Sequence, residues 1–144
     1  DIIGLAAGVR ELASMSLMIT TRGVVFLADT HVQSEPSAEA IADTVTLCAA
    51  HVQRFGITPK VALVAHSDFG DFDTGATLKM RKALGLIHER APELEIDGEM
   101  QADTALIEAV RSRKLPSSTL KGEANLLVMP DLSSANVAYQ MLKV

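Results

Sequence analysis

Apolar residues occur along this chain in two patterns, as short continuous runs and as spaced helical stripes. Residues 37–55, for example, carry Ile41, Val45, Cys48 and Val52 at steps of four, three and four, which places them on one face of a helix. Five short runs fit strands: residues 11–20, 23–30, 60–66, 94–100 and 125–130. Four stripes fit helices: residues 37–55, 75–90, about 101–113 and 131–144. This alternation predicts an α/β fold.

Local signals refine that architecture. The first two runs are joined by Thr21-Arg22-Gly23, a link typical of a hairpin. KVALVAH (60–66) is apolar at most positions, which is typical of a strand buried on both faces of a parallel sheet. Ser37 and Gly56 suit the start and the end of the helix between them. The sequence therefore predicts one domain over residues 1–144, a three-layer α/β/α sandwich whose mostly parallel sheet has a hairpin at one edge.

Composition limits the partners of this domain. Nearly half of the residues are apolar, yet the chain has no Trp, one Tyr and four Phe, so its core should be aliphatic. A net charge of −5 without a block of Lys and Arg argues against nucleic acid as a partner. No apolar run reaches the ~18 residues of a membrane helix, so no membrane partner is expected. Cys48 is the single cysteine and suits a reducing compartment, so we expect a cytoplasmic protein.

Polar loops follow three of the predicted strands, at residues 65–75, 97–103 and 130–136. Ligands of open parallel sheets bind at the carboxyl ends of strands, so these loops are the predicted site, although turns and helix caps use the same residue types.

Sharper motifs are missing from these loops. The carboxylates of Asp68, Asp71 and Asp73 lack the spacing of a calcium loop, and no pair of His residues has metal-ligand spacing on a helix. His66 and Ser67 are neighbours on a strand, so they point to opposite faces and form no nucleophile–base pair. The residues therefore predict ligand contacts, and no catalytic or metal-binding residue is assigned.

Four segments of the chain resemble the phosphate acetyl/butyryltransferase family. They are FLADTHVQSEPSAEAIAD, FGITPKVALVAHSDFG, KMRKALGLIHERAPELEIDGEMQADTAL and LKGEANLLVMPDLSSANVAYQMLK. They follow the family order over nearly the whole chain, and IDGEMQAD followed by P-D-L-x-x-x-N is the most specific part. ADTHV and HSDFG most resemble the variant of this domain at the C-terminal end of bacterial NADP-dependent malic enzymes.

The resemblance implies the inner domain of a two-domain protein, with a fold like that of isocitrate dehydrogenases and a contact for a homodimer or higher oligomer. The family exchanges an acyl group between phosphate and coenzyme A in a cleft between its domains. The resemblance further implies that the chain is a fragment of a longer polypeptide and that the catalytic Ser-Arg and Asp of the family lie beyond the matching segments. It implies no cofactor in this fragment, and NADP and a divalent metal in the malic-enzyme part of the parent.

Ligand contacts carried over from the family are those of the strand-end loops. They are Ser67, Gly70, the segment from Asp97 to Asp103, and Asn136. The phosphates of acetyl-CoA or CoA would also need cations, and the chain has two basic clusters. These are Lys79, Arg81 and Lys82 in one predicted helix, and Arg111, Arg113 and Lys114 at the end of the next. Each cluster also fits a solvated helix face.

The loop at 65–75 departs from the family pattern. Active members typically read S-x-S-T-K-G-S there, whereas this chain has Ala65, Asp68, Phe69 and Asp71 at the first Ser, the Thr, the Lys and the last Ser. A carboxylate about 4 Å from a phosphate oxygen costs about 4 kcal/mol at an effective dielectric of about 20. The substitutions therefore predict an anion site that no longer serves phosphate.

Three functions remain open at this point. They are a malic-enzyme regulatory domain that senses acetyl-CoA, part of a working phosphate acetyltransferase, and a structural dimerisation module. The loop substitutions favour the first over the second.

Overall fold

A computed structural model describes residue 7, residues 12–29 and residues 31–144. Glu11 and Thr30, which belong to the first two predicted strands, lie outside the described residues. The strands of the described part are β1 (Met15–Thr20), β2 (Gly23–Ala28), β3 (Lys60–Val64), β4 (Glu95–Met100) and β5 (Leu126–Val128). Its helices are α1 (Ala38–Arg54), α2 (Gly75–Arg90), α3 (Ala102–Leu106), α4 (Glu108–Lys114) and α5 (Leu132–Leu142). Among these helices, none is both long enough and apolar enough to cross a membrane.

The strands form a single five-stranded sheet in the order β1-β2-β5-β3-β4. β1 and β2 pair antiparallel, with Met15 opposite Ala28, and form the predicted hairpin at the edge. The pairs β2–β5, β5–β3 and β3–β4 are parallel. The predicted sheet is confirmed, and the carboxyl ends of its four parallel strands meet at one edge.

Helices cover both faces of the sheet. Val61 and Leu63 of β3 pack with α1 and α2 on one face, whereas Ala62 and Val64 pack with residues of α3 and α5 on the other. The two clusters are aliphatic apart from Phe26, which is fully buried. This alternation along a strand follows from its two-residue period, and it confirms the three-layer sandwich.

The ends of α1 and α2 follow from local chemistry. The Ser37 hydroxyl caps α1 by accepting a hydrogen bond from the backbone N–H of Ala40 at 3.1 Å. Gly56 follows α1 with a φ of +77°, a left-handed conformation that suits glycine. Thr74 and Thr77 form a reciprocal capping box at the start of α2. The predicted ends of both helices are confirmed, and the capping box fixes where the loop after β3 stops.

The predicted single helix over about 101–113 is wrong. It is divided into α3 and α4 at Ile107, whose backbone is extended. The cause is Arg111, which is 1% exposed although the sequence suggested a solvated basic face. Its guanidinium donates to the carbonyl oxygens of Thr104 and Ala105 at 3.0 and 3.2 Å. It also bonds the carbonyls of Leu120 and Gly122, so a buried side chain ties α3, α4 and the following loop together.

Candidate functional site

A cleft of about 500 Å³ opens at the carboxyl ends of β3 and β4. Its lining comes from the loop after β3, from the residue that follows β4, and from the last residue of α4. The lining residues are His66, Ser67, Asp68, Asp71, Phe72, Thr74, Gln101 and Lys114. The cleft lies where ligands of parallel α/β sheets bind, as the sequence predicts.

The backbone of the loop after β3 is bonded to the protein itself. The N–H groups of Phe69 and Gly70 donate to the carbonyl oxygen and to Oε1 of Glu99, at 2.7 and 2.9 Å. The next two N–H groups, those of Asp71 and Phe72, donate to Asp68 O at 3.1 Å and to Ser67 Oγ at 2.9 Å. Four successive donors therefore have protein acceptors. In a phosphate cradle such donors face the ligand.

Asp68 is the most strongly held carboxylate of this loop. It is 6% exposed, and its Oδ1 accepts a hydrogen bond from the backbone N–H of Gln101 at 2.8 Å. Its Oδ2 is ion-paired with the Lys114 ammonium, and the Thr104 hydroxyl also bonds the carboxylate. Burial alone would raise the pKa of Asp68, but the bonds from Lys114, Gln101 and Thr104 outweigh it and lower that pKa. Asp68 therefore stays charged and paired.

Arg81 is engaged by two other carboxylates. It forms an ion pair with Asp73 and lies with its Nε 3.3 Å from Oε2 of the fully buried Glu99. Gly70 completes this arrangement, since its φ is +93° and an added Cβ would lie 3.4 Å from Arg81 Nη1. That this loop no longer serves phosphate stays a prediction, and the structure adds that the negative charge of the loop is partly compensated. Of its three aspartates, Asp68 and Asp73 are each paired with a cation from a neighbouring helix.

Side chains of the DGEMQAD segment mostly support neighbouring loops. Asp97 accepts hydrogen bonds from the Ser118 hydroxyl at 2.6 Å and from the Thr119 N–H at 3.2 Å. Gly98 brings β4 so close to β3 that an added Cβ would lie 2.7 Å from the Leu63 carbonyl oxygen. Asp103 is exposed and accepts from the Thr104 N–H at 2.8 Å. Ligand contacts of Asp97 and Asp103 stay predictions, and neither residue lines the cleft after β3.

Asn136 lies in a different cleft from Ser67. This second cleft, of about 400 Å³, is lined by His31, Leu132, Ser133, Asn136 and Val137. The two clefts share no lining residue. The structure therefore brings Ser67 and Lys114 together on the wall of one cleft and places Asn136 on the wall of the other. The ligand contacts of Ser67, Gly70 and Asn136 stay predictions.

Asp29 organises the loop that carries His31, and sequence reasoning missed it. It follows β2, and its carboxylate accepts from the N–H groups of His31 and Gln33 at 3.1 and 3.0 Å. It also bonds the N–H and the hydroxyl of Ser14. Burial would raise the pKa of Asp29, but these bonds outweigh it and lower that pKa. The signal was an Asp directly after a strand, in ADTHV, a position where Asp commonly bonds its own loop.

The lysines beside Arg81 also have carboxylate partners. Lys79 Nζ lies 3.8 Å from Glu35 Oε2, and Lys82 Nζ lies 2.7 Å from Glu39 Oε1. The side chains of Lys82 and Glu39 are 63% and 45% exposed, and ion pairs at such exposed positions contribute about 0–1 kcal/mol. A phosphate group could therefore replace such a partner at little cost. Ligand binding by Lys79 and Arg81 remains a prediction.

Comparisons with known proteins agree with the resemblance seen in the motifs. A family model described as "Phosphate acetyl/butaryl transferase" matches residues 1–144. The NAD-dependent malic enzyme of Rhizobium meliloti is 51% identical over 143 residues, which are 99% of this chain and 19% of that protein. The NADP-dependent malic enzyme of Escherichia coli is 47% identical over 144 residues, which are 100% of this chain and 19% of that protein. The chain thus spans about a fifth of the length of these relatives.

A solved phosphotransacetylase has the same fold. The structure of EutD phosphotransacetylase from Staphylococcus aureus matches with a TM-score of 0.89 and 30% identity, over 96% of this chain and 43% of that one. The resemblance read from ADTHV, HSDFG and IDGEMQAD is therefore confirmed.

Proposed function

Because the chain belongs to the phosphate acetyl/butaryl transferase family, we propose that it is a regulatory domain that binds acetyl-CoA and does not transfer the acetyl group. Its parent is a malic enzyme, which converts malate to pyruvate and CO₂. We assign NADP and a divalent metal to the malic-enzyme part of that polypeptide, and this domain to its C-terminal end. The support is the 51% and 47% identity to the two bacterial malic enzymes over nearly all of this chain.

The observation that carries this proposal is the state of the loop after β3. Its N–H groups from Phe69 to Phe72 all donate to protein acceptors, and the nearby cations Lys114 and Arg81 are paired with carboxylates. Transfer to phosphate needs free donors and cations around the transferred group. A loop that has turned these groups inward supports ligand binding without that chemistry.

Coenzyme A can still be bound by groups outside this loop. Its 3′-phosphate and pyrophosphate need cations, and Lys82 and Arg113 are exposed on α2 and α4. Its thioester end is uncharged and suits the cleft beside Ser67, where the Ser67 hydroxyl already accepts from the Phe72 N–H and Asp68 is already paired with Lys114. A sensor must also bind more tightly to one conformation of the parent enzyme than to another. In this proposal, acetyl-CoA stabilises the conformation that oxidises malate more slowly.

Two other functions have a specific observation in their favour. A working phosphate acetyltransferase is favoured by the close match to the S. aureus phosphotransacetylase fold. A structural dimerisation module is favoured by Ile19 and Met141, which are 83% and 72% exposed on the wall of a groove of about 610 Å³. The apolar face of α1, in contrast, packs into the core of its own domain and does not support a dimer contact.

The experiment uses the intact polypeptide that contains this chain. Calorimetric titration with acetyl-CoA is combined with an assay for acetyl-CoA formation from acetyl phosphate and CoA. The proposal expects saturable binding and no acetyl-CoA formation above the protein-free rate. Acetyl-CoA formation would establish the transferase instead. If the protein neither binds nor forms acetyl-CoA, the structural dimerisation module is the function that remains.

A further inference from the structure

We propose that Asp68 acts as a built-in anion, whose carboxylate occupies an oxyanion site of this domain and so excludes phosphate and acyl phosphates from the cleft. Three donors converge on that carboxylate from outside its own loop. They are the Gln101 backbone N–H at 2.8 Å, the Thr104 hydroxyl and the Lys114 ammonium. A cation, a hydroxyl and a backbone N–H are the groups that proteins use to bind oxyanions.

The oxyanion site does not depend on Asp68 for its shape. The Lys114 ammonium also donates to Gln101 Oε1 at 3.1 Å and to Thr104 Oγ1 at 3.0 Å. These two neutral acceptors orient it whether or not the carboxylate is present. Thr104 is fully buried and Gln101 N belongs to the backbone, so neither donor can move far. Removal of the Asp68 carboxylate should therefore leave a preorganised site rather than a collapsed one.

Solvent ions can reach this site. The Lys114 side chain is 35% exposed, and together with Asp68 and Gln101 it lines the cleft of about 500 Å³. In the wild-type chain an entering phosphate would have to displace a carboxylate that is held by three donors and would then lie beside it. The charged groups that remain nearby, Asp71 and Asp103, act on Lys114 through space and add to the repulsion.

Selectivity between two acyl donors follows from this arrangement, and this step rests on the proposed function. The acyl end of acetyl-CoA is a neutral thioester, whereas acetyl phosphate brings its charge directly to the acyl group. A cleft whose oxyanion site is already filled accepts the first and rejects the second. Asp68 is thus a specificity-determining residue, and Asp71, which lines the same cleft, supplies only a background charge.

The test compares phosphate binding by four forms of the intact polypeptide, with inorganic phosphate and acetyl phosphate as probes in calorimetric titrations. The forms are wild type, Asp68→Ala, Asp68→Ala with Lys114→Gln, and Asp71→Asn as the matched control. A unit charge 4 Å away at a dielectric of about 20 sets an upper limit of about a thousandfold on the change in Kd. Lys114 already offsets part of the Asp68 charge, so the gain should be smaller than that limit. We expect the Kd for phosphate to be lower in Asp68→Ala than in wild type by a factor of about ten or more. The gain should disappear in the double variant, and Asp71→Asn should show little of it.

Three results would overturn the inference. They are a folded Asp68→Ala variant without tighter phosphate binding, a gain that survives Lys114→Gln, and an equal gain in Asp71→Asn. If circular dichroism shows that Asp68→Ala does not fold, Asp68→Asn keeps the shape and removes the charge. It should give a smaller gain, and its failure to give any would also overturn the inference.

Acetyl-CoA titration of the same wild-type protein separates this inference from the proposed function. A phosphate gain without acetyl-CoA binding upholds the role of Asp68 and rejects the sensor. Acetyl-CoA binding without a phosphate gain does the reverse.

Discussion

The carboxylate of Asp68 is ion-paired with the ammonium of Lys114, which joins the loop after β3 to the last residue of α4. The two residues are 46 positions apart in sequence. Their pairing holds the loop over the strand ends, and it neutralises Lys114, which lines the cleft. A loop that appears acidic in sequence is therefore locally compensated, and this changes what its stability and its ligand preference depend on.

Acid should weaken the domain through Asp68. The pKa of this carboxyl is lower in the folded chain than its ordinary value of 3.8, because its hydrogen bonds outweigh the effect of burial. Its stabilising contribution is therefore present above that ordinary value and is lost as the pH falls through the folded pKa. We expect the free energy of unfolding to fall more steeply in wild type than in Asp68→Asn as the pH drops below 3.8 and through the folded pKa. Urea unfolding at several pH values measures this, with Asp71→Asn as the control. Parallel curves for wild type and Asp68→Asn would refute it.

High pH should weaken the domain through Lys114, the partner of Asp68. The pKa of Lys114 is raised above its ordinary value of 10.5, chiefly by its hydrogen bond to Asp68. Its contribution is fully present below 10.5 and is lost as the pH rises through the folded pKa. Above pH 10.5 the free energy of unfolding of Lys114→Gln should therefore fall less steeply with pH than that of wild type. The same slope in both proteins would show that the pair does not stabilise the fold.

Arg111 should be far more important for stability than its neighbour Arg113. Arg111→Met keeps roughly the same volume but removes a donor from four carbonyl oxygens, those of Thr104, Ala105, Leu120 and Gly122. Of these, the Ala105 oxygen still accepts from the backbone N–H of Ala124 at 3.0 Å. We expect a loss of about 3 kcal/mol in the free energy of unfolding. Arg113→Met, at an exposed position, should change it by less than about 0.5 kcal/mol. Equal effects of the two substitutions in urea unfolding would contradict the structural role of Arg111.

Gly98 should tolerate no side chain. Its φ is +148°, and a Cβ there would lie 2.7 Å from the Leu63 carbonyl oxygen and 2.8 Å from Leu63 Cβ. Gly98→Ala should therefore destabilise the domain by about 2 kcal/mol or more, since β3 and β4 would have to separate. Gly85→Ala is the matched control, because an added Cβ on that helical residue has nothing within 4 Å. This control should be neutral or stabilise by up to about 1 kcal/mol. A Gly98→Ala variant as stable as Gly85→Ala would show that the strands can adjust.

Hydrophobic periodicity predicted most of the fold. The predicted helix over 75–90 coincides with α2 (Gly75–Arg90), because its apolar stripe and its Thr cap are both local features. The break at Ile107 could not be predicted in the same way. It depends on Arg111 being buried against carbonyls of a loop that follows α4, and a one-dimensional pattern assigns an arginine to the surface.

Charge counting predicted the candidate site less well. The sequence places Asp68, Asp71 and Asp73 close together and indicates repulsion, but the partners of two of them come from distant positions. Lys114 reaches Asp68 from α4, and Arg81 reaches Asp73 from α2. The place of the cleft followed from topology, since the carboxyl ends of parallel strands must meet. That Lys114 and Arg81 are ion-paired with aspartates of the loop depends on tertiary packing and could not be predicted from the sequence.

Acetyl-CoA regulation should be measured as the rate of malate oxidation by the intact polypeptide that contains this chain, at increasing acetyl-CoA. We expect acetyl-CoA to slow malate oxidation in the intact polypeptide. A form truncated before this domain should oxidise malate at an unchanged rate in the absence of acetyl-CoA. It should also lose the response to acetyl-CoA, because the domain that binds the ligand and shifts the conformation of the enzyme has been removed. Inhibition of the truncated form to the same degree as the intact polypeptide would show that this domain is not the sensor.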